Sequence, residues 1–332
     1  MKQFLSVHDL VSAHTPDTQS AIDTFIDKAL AHKESPLSHH EIGRHKKLGC
    51  LFMNPSMRTR LSTQIAASNL GMDVITINAS QDGWALEYNA DAIMNGTTVE
   101  HIMDAAPILG AYFDVLAVRC FPSLTDKQAD DADSILNSFV QHCGIPIVSL
   151  ESATLHPLQS FADVITISES LRQHPWPKHT PKVVLSWAPH MKAIPHSVAN
   201  SFAQWMNAWG KADFVITHPP GYELNNRFTQ NAVVTHNQEE ALQNADFVYV
   251  KNWSAYRDYG SILSTDPSWM ITNTHLRNTN NAKVMHCLPV RRNVELSAEV
   301  LDSPSSLTTL QAVNRVWAAQ TVLSEILTLA NQ

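Results

Sequence analysis

Apolar residues recur along this chain with two alternating periods. Ile22, Phe25, Ile26, Ala29 and Leu30 have helical spacing, and short apolar runs then alternate with longer helical stretches. The pattern predicts strands over 48–53, 74–77, 115–119 and 145–150, with helices over 58–70, 99–109 and 134–142 between them. Gly71 is placed to stop the helix ending at Leu70. Strand–helix alternation of this kind implies a parallel sheet with helices on both faces.

The pattern restarts after residue 150. A helix over 158–171 is followed by a polar, Pro-bearing stretch over 174–181. Strands over 183–187, 214–217, 247–251 and 284–286 follow, with a helix over 197–209, and an apolar-periodic helix over 308–329 closes the sequence. The fold class read from this is α/β, two doubly wound parallel-sheet domains with a boundary near residue 150. Residues 81–98 and 252–281 are loop-rich, and long loops past strand ends are where α/β proteins hold ligands.

Composition narrows the function classes. The chain has 332 residues, 44% hydrophobic and 16% charged, which suits two globular domains. A formal charge of −8 argues against nucleic acid or an anionic membrane as partner, so an anionic substrate needs local Arg clusters. Charged residues interrupt every apolar run, leaving neither a signal peptide nor a membrane span, and a cytoplasmic protein is expected. Cys50, Cys120, Cys143 and Cys287 match no zinc or redox spacing, and no metal is expected. The 10 glycines form no dinucleotide or Walker loop, and His40-Glu41-Ile42-Gly43-Arg44-His45 lacks the i, i+4 histidine pair of a zincin. No cofactor is expected.

Three segments carry chemistry. Asn54-Pro55-Ser56-Met57-Arg58-Thr59-Arg60 follows a predicted strand and opens a predicted helix, whose outward amides and dipole favour an anion. Ser56 and Thr59 add hydroxyls, and Arg58 adds a fork for two phosphate oxygens. The same residues would also serve as a plain N-cap with solvated arginines. His156-Pro157-Leu158-Gln159 begins a second helix, where a neutral His and an amide suit a polarised carbonyl, or merely fix the helix start. His286-Cys287-Leu288-Pro289 follows a strand with Arg291 and Arg292 behind it, and Arg119 ends another strand.

In that order, Ser56-Met57-Arg58-Thr59-Arg60, His156-Pro157-Leu158-Gln159 and His286-Cys287-Leu288-Pro289 resemble the transcarbamylase family across essentially the whole chain. The resemblance implies a carbamoyl phosphate-binding domain of residues 1–150 joined by the returning C-terminal helix (308–332). An acceptor-binding domain of 151–307 would complete the chain, and a homotrimer would share sites between subunits. It implies that Ser56, Met57, Arg58, Thr59 and Arg315 hold the phosphate of carbamoyl phosphate, with Trp84 donated by a neighbouring chain or packing within its own. Arg119, His156 and Gln159 would hold the carbamoyl group, and Cys287 and Leu288 would orient the amine.

The ornithine enzymes' Ser-Met-Gly loop is absent. Glu151-Ser152-Ala153-Thr154, Trp187-Ala188-Pro189-His190, Val250-Lys251-Asn252-Trp253 and Thr279-Asn280-Asn281 instead resemble the N-acylornithine subfamily. This implies Glu151, His190, Lys192 and Lys251 at the acylornithine, no nucleic-acid or membrane partner, and a knotted second domain. Val99 stands at a position similar to a Glu in acetyl-specific enzymes, where a Glu would repel a succinyl carboxylate. Lys192 stands where the succinyl type resembles Arg. The expectation is succinyl, with acetyl as the alternative and a catalytically silent anion-binding protein as a reading of another class.

Overall fold

The computed structural model describes residues 1–12, 18–173 and 179–330. It divides into two compact units, Met1–Leu158 with Arg315–Gln332, and Gln159–Asn314. The divisions fall inside two helices, Pro157–Gln173 and Thr308–Ala330, so the chain after Asn314 belongs with the first unit. The polar stretch expected over 174–181 lies mostly outside the described residues, which resume at His179.

The strands of the first unit are β1 (Gln3–Phe4), β2 (Lys47–Phe52), β3 (Asp73–Asn78), β4 (Leu86–Glu87), β5 (Glu100–His101), β6 (Val115–Arg119) and β7 (Ile147–Glu151). Five form one all-parallel sheet in the order β1-β7-β6-β2-β3, while β4 and β5 pair separately. Every residue of β6 and β7 is buried, which requires cover on both faces of the sheet. Leu116, Val118 and Phe139 lie at the centre of that core with no exposed surface. Each such side chain contributes about 1.5–3 kcal/mol of transfer free energy.

The second unit repeats the plan with β8 (Lys182–Trp187), β9 (Asp213–Thr217), β10 (Val233–Thr235), β11 (Phe247–Lys251) and β12 (Lys283–Met285). These are again all parallel, in the order β10-β9-β8-β11-β12. Strand β10 escaped the sequence reading because its outer residues Val233 and Val234 are exposed on the sheet edge. The stretch 252–281 is mostly loop, with one 3₁₀ turn (Pro267–Trp269) and a short helix (Asn273–Leu276).

One helix begins later than its periodicity suggests. The expected start at Val99 gives way to Ile102–Tyr112, capped by His101, whose side chain accepts from the Met103 N–H. Residues 100 and 101 instead form β5, and the Val99 N–H donates to the Ala85 carbonyl at 2.9 Å. The β4–β5 ladder outcompetes the helix for those backbone groups.

The helix Met57–Asn69 shows how local chemistry sets an element. Ser56 is its N-cap in extended conformation, its Oγ accepting from the Thr59 N–H at 3.3 Å. Gly71 follows the C-cap Leu70 with φ +80°, and a Cβ there would lie 2.2 Å from the His40 carbonyl oxygen. Gly71→Ala therefore meets both a forbidden dihedral and rigid backbone, and it should cost roughly 1–3 kcal/mol in urea unfolding. An unchanged midpoint would contradict this.

Candidate functional site

In each sheet the strand order reverses once, and ligands of open α/β sheets bind outside the strand carboxyl ends at such a reversal. In the first unit the chain leaves β2 for β3 on one side, and β6 pairs on the other side. The register sets Phe52 beside Arg119, so the segment 54–60 begins next to the end of β6. Asn54 closes the gap, its Oδ1 accepting from the Phe121 N–H at 2.7 Å.

At this reversal Ser56 Oγ donates to Thr59 Oγ1 at 2.9 Å, and Arg315 Nη2 donates to the same Thr59 oxygen at 2.6 Å. Arg315 comes from the last helix and is buried, as is Thr59; Arg58 is half-buried and Met57 exposed. A cavity of about 400 Å³ opens here against Phe52, Ser56, Met57, Arg60, Gln64 and Asn78. The helix start, the Ser56 hydroxyl and the Arg60 guanidinium beside this space have the donor chemistry that an anion needs.

Arg119 is buried and ion-paired to Glu151 Oε2, and His156 Nε2 lies 3.4 Å from the same oxygen. The Arg119 guanidinium also sits 4.4 Å from the centroid of the Phe121 ring. An uncompensated buried guanidinium would be costly, so Glu151 is the counter-charge that allows Arg119 to stand at the strand end. Among the described residues, Arg119 Nε is buried without a hydrogen-bond partner. Trp84 and Val99 are both exposed just before β4 and β5, and Trp84 Nε1 donates to Glu100 Oε2 at 2.8 Å.

The second unit reverses between β8 and β11, where the register sets Lys251 beside Trp187. Lys251 is buried, its Nζ donating to Asn252 Oδ1 at 2.7 Å. Just past β8, His190 Nδ1 accepts from the Lys192 N–H at 3.0 Å, with the Lys192 side chain in solvent. Burial holds the His190 imidazole below its usual pKa, more than Glu295 and the Lys192 contact raise it, so the ring is biased to neutral. Past β12, Leu288 has φ +56°, a conformation rare for a branched side chain. His286 holds this turn: its backbone N–H donates to Gln311 Oε1 at 2.9 Å, and its Nδ1 accepts from the Leu288 N–H at 2.9 Å. Cys287, between them, is buried.

The residue that sequence reading missed is Glu295. It is 1% exposed, 2.6 Å from His286 Nε2 and 3.6 Å from His190 Nε2, and it accepts from the Arg291 N–H at 3.3 Å. One carboxylate thus ties the β8 loop to the 286–288 turn. No local spacing announces this, because the chain between His286 and Glu295 doubles back through positive-φ residues Leu288 and Asn293. Within the first unit the structure gathers Ser56, Arg58, Thr59 and Arg315 at the switch point, with Arg119, Glu151 and His156 at the ends of β6 and β7. Within the second it gathers His190, Lys192, Lys251, Cys287 and Leu288 at the corresponding strand ends.

Two parallel α/β units, each with polar residues at its strand carboxyl ends and the first with anion-suited donors at a helix start, have the plan of a two-domain α/β protein that takes small ligands at its switch points. Residues 2–169 match the family described as aspartate/ornithine carbamoyltransferase, carbamoyl-P binding domain, and residues 195–326 its Asp/Orn binding domain. The chain is 45% identical over 329 residues to an N-succinylornithine carbamoyltransferase of Bacteroides fragilis, covering 98% of this chain and 99% of that one. An N-acetylornithine carbamoyltransferase of Xanthomonas axonopodis pv. citri is 30% identical, with 98% and 96% covered. Among solved structures, an N-acetyl-L-ornithine transcarbamylase variant with a glutamate replaced by valine, complexed with carbamyl phosphate and N-succinyl-L-norvaline, superposes with a TM-score of 0.87. It is 29% identical, with 98% of this chain and 100% of that chain covered. The chain belongs to the aspartate/ornithine carbamoyltransferase family.

Burial would raise the Glu295 carboxyl, but the His286 hydrogen bond and the charges of His286, Lys251 and His190 outweigh it, leaving it below the usual 4.5. A pKa lowered by folding stabilises the fold above the unfolded value, and that stability is lost as pH falls through the folded value. Glu295→Gln should therefore lower stability by about 2 kcal/mol at neutral pH. The difference from the parent should shrink as pH falls from about 4.5 toward 3. Urea titrations across that range check this, and a difference independent of pH would refute the charge argument.

Proposed function

We propose that the protein transfers the carbamoyl group of carbamoyl phosphate to the δ-amine of N-succinyl-L-ornithine, giving N-succinyl-L-citrulline and phosphate, a step of arginine biosynthesis. The observation that carries this is the near full-length identity to an N-succinylornithine carbamoyltransferase, 45% against 30% for the acetyl type. One feature of the chain supports it: Val99 is exposed and carries no charge to repel a succinyl carboxylate.

In this reading Ser56, Met57 through its backbone, Arg58, Thr59 and Arg315 bind the phosphate. Glu151, His190, Lys192 and Lys251 serve the acylornithine. The δ-amine must react as its free base, although a free alkylammonium has a pKa of about 10.4. Desolvation beside cationic groups lowers that value, and the Cys287 and Leu288 carbonyls align the lone pair. Attack forms the C–N bond, and the developing oxyanion meets donors of Arg119, His156 and Thr59 while Gln159 holds the carbamoyl nitrogen. The C–O bond to phosphate then breaks, and the departing phosphate takes the proton from the former amine. No covalent enzyme intermediate is required.

A cytoplasmic homotrimer with shared sites completes the reading. Among the described residues, no helix is long and apolar enough to cross a membrane. Met57, Leu61 and Ile65 form an exposed apolar stripe at i, i+4 spacing on the helix after β2. The exposed Trp84 is free of its own core and suits donation to a neighbouring subunit.

Citrulline-derivative formation from carbamoyl phosphate with N-succinyl-, N-acetyl- and free L-ornithine, assayed side by side, tests the reading. Turnover of the succinyl substrate is expected. Acetyl-only turnover would overturn the role given to Val99, and no turnover at all would leave a silent anion-binding protein. Mixing inactive Trp84→Ala and Arg58→Ala chains should partly restore activity, because one site in the mixed trimer keeps both side chains. Failure of mixed, reassembled trimers to recover any activity would place Trp84 in its own subunit's site.

A further inference from the structure

Inside the second unit, behind the chemistry-bearing side chains, lies a carboxylate that the reaction scheme above leaves unused. Asp163 is fully buried, on the same helix as Gln159 and one turn after it. Its Oδ1 accepts from Gln159 Nε2 at 2.7 Å and from Gln311 Nε2 at 2.7 Å. Gln159 and Gln311 are themselves fully buried. A carboxyl group in such a place is expensive to keep, and an apolar residue would pack a helix interface at less cost.

What the carboxylate imposes is orientation. Its Oδ1 accepts from both, so both glutamines turn their NH₂ ends toward it. For Gln311 the other end is accounted for, since its Oε1 accepts the His286 N–H at the start of the 286–288 turn. For Gln159 the same rule leaves Oε1 as the acceptor end of the amide, the end suited to a carbamoyl NH₂ and not to a carbonyl oxygen. The buried Tyr249 phenol lies beside both Asp163 and Cys287, a further link from this carboxylate to the turn.

We infer that Asp163 is a positioning residue for carbamoyl transfer. It fixes the Gln159 amide with its acceptor end toward the carbamoyl nitrogen, and through Gln311 it couples that amide to the 286–288 turn that aligns the amine. This inference rests on the carbamoyl-transfer reading. Asparagine at 163 keeps the volume and one acceptor but adds a donor. The Gln159 amide can then flip and present NH₂ to NH₂.

The experiment is steady-state kinetics of D163N, Q159A and the double variant, with the parent in the same assay establishing that carbamoyl transfer occurs. D163N should lower kcat roughly 10-fold or more, as misorientation of a substrate-positioning group does. In the Q159A background it should have almost no further effect, because Asp163 acts through Gln159. A D163N kcat within twofold of the parent, or losses that multiply in the double variant, would overturn the inference. Should D163N fail to fold, Q311A reads the second arm. It is expected to raise KM for the acylornithine several-fold while KM for carbamoyl phosphate stays put, and equal changes in both would reduce Gln311 to packing.

Discussion

A parallel strand cannot be joined to its neighbour by a tight turn, and the rest of this structure depends on that constraint. Every connection must travel the length of the sheet and return, usually as a helix, so the carboxyl ends of all strands in a sheet lie on one edge. In the first unit that edge carries the segment 54–60, Arg119 and Glu151; in the second it carries His190, Lys251 and the 286–288 turn. Residues tens of positions apart become neighbours without any local signal between them. The strand order then reverses at one point of each edge, where open α/β sheets take their ligands.

Charge placed at such an edge has to be balanced, because the strands beneath are buried on both faces. Each unit answers this with carboxylates that carry more than one partner. Glu151 serves Arg119 and His156, Glu295 serves His286 and His190, and Asp163 serves Gln159 and Gln311. A carboxylate with two donors fixes both side chains at once. It also presets which end of an imidazole or amide points outward, the form of preorganisation that electrostatic catalysis requires. The last helix adds to this. Its first turns place Gln311 and Asn314 against the helix carrying Asp163, Thr166 and Glu169, and its continuation brings Arg315 to Thr59.

Much of this was legible along the chain because it is local. The helix after β2 announces itself through Ser56 as cap and Gly71 as stop, and Ser197–Trp209 through an apolar face. The helix expected from Val99 was displaced to Ile102, since the backbone of residues 99–101 pairs with the 85–87 segment, which periodicity does not see. Strand β10 went unread because an exposed edge strand lacks the two-sided apolar run of a central one. Glu151 pairs with Arg119 across 32 positions and also faces His156, contacts that no spacing rule predicts.

By itself the sequence determined the α/β class, the element order, the caps that start and stop helices, and three ordered motifs that point to carbamoyl transfer. Each of these is written in residues within a few positions of one another, where propensity and side-chain chemistry act directly. Only the tertiary structure decided which carboxylate neutralises Arg119, that Glu295 anchors two histidines, and which way the Gln159 amide faces. Those outcomes turn on where buried charge finds its donors, and buried charge is satisfied by whatever the folded sheets bring within about 3 Å, not by what lies next to it in the chain.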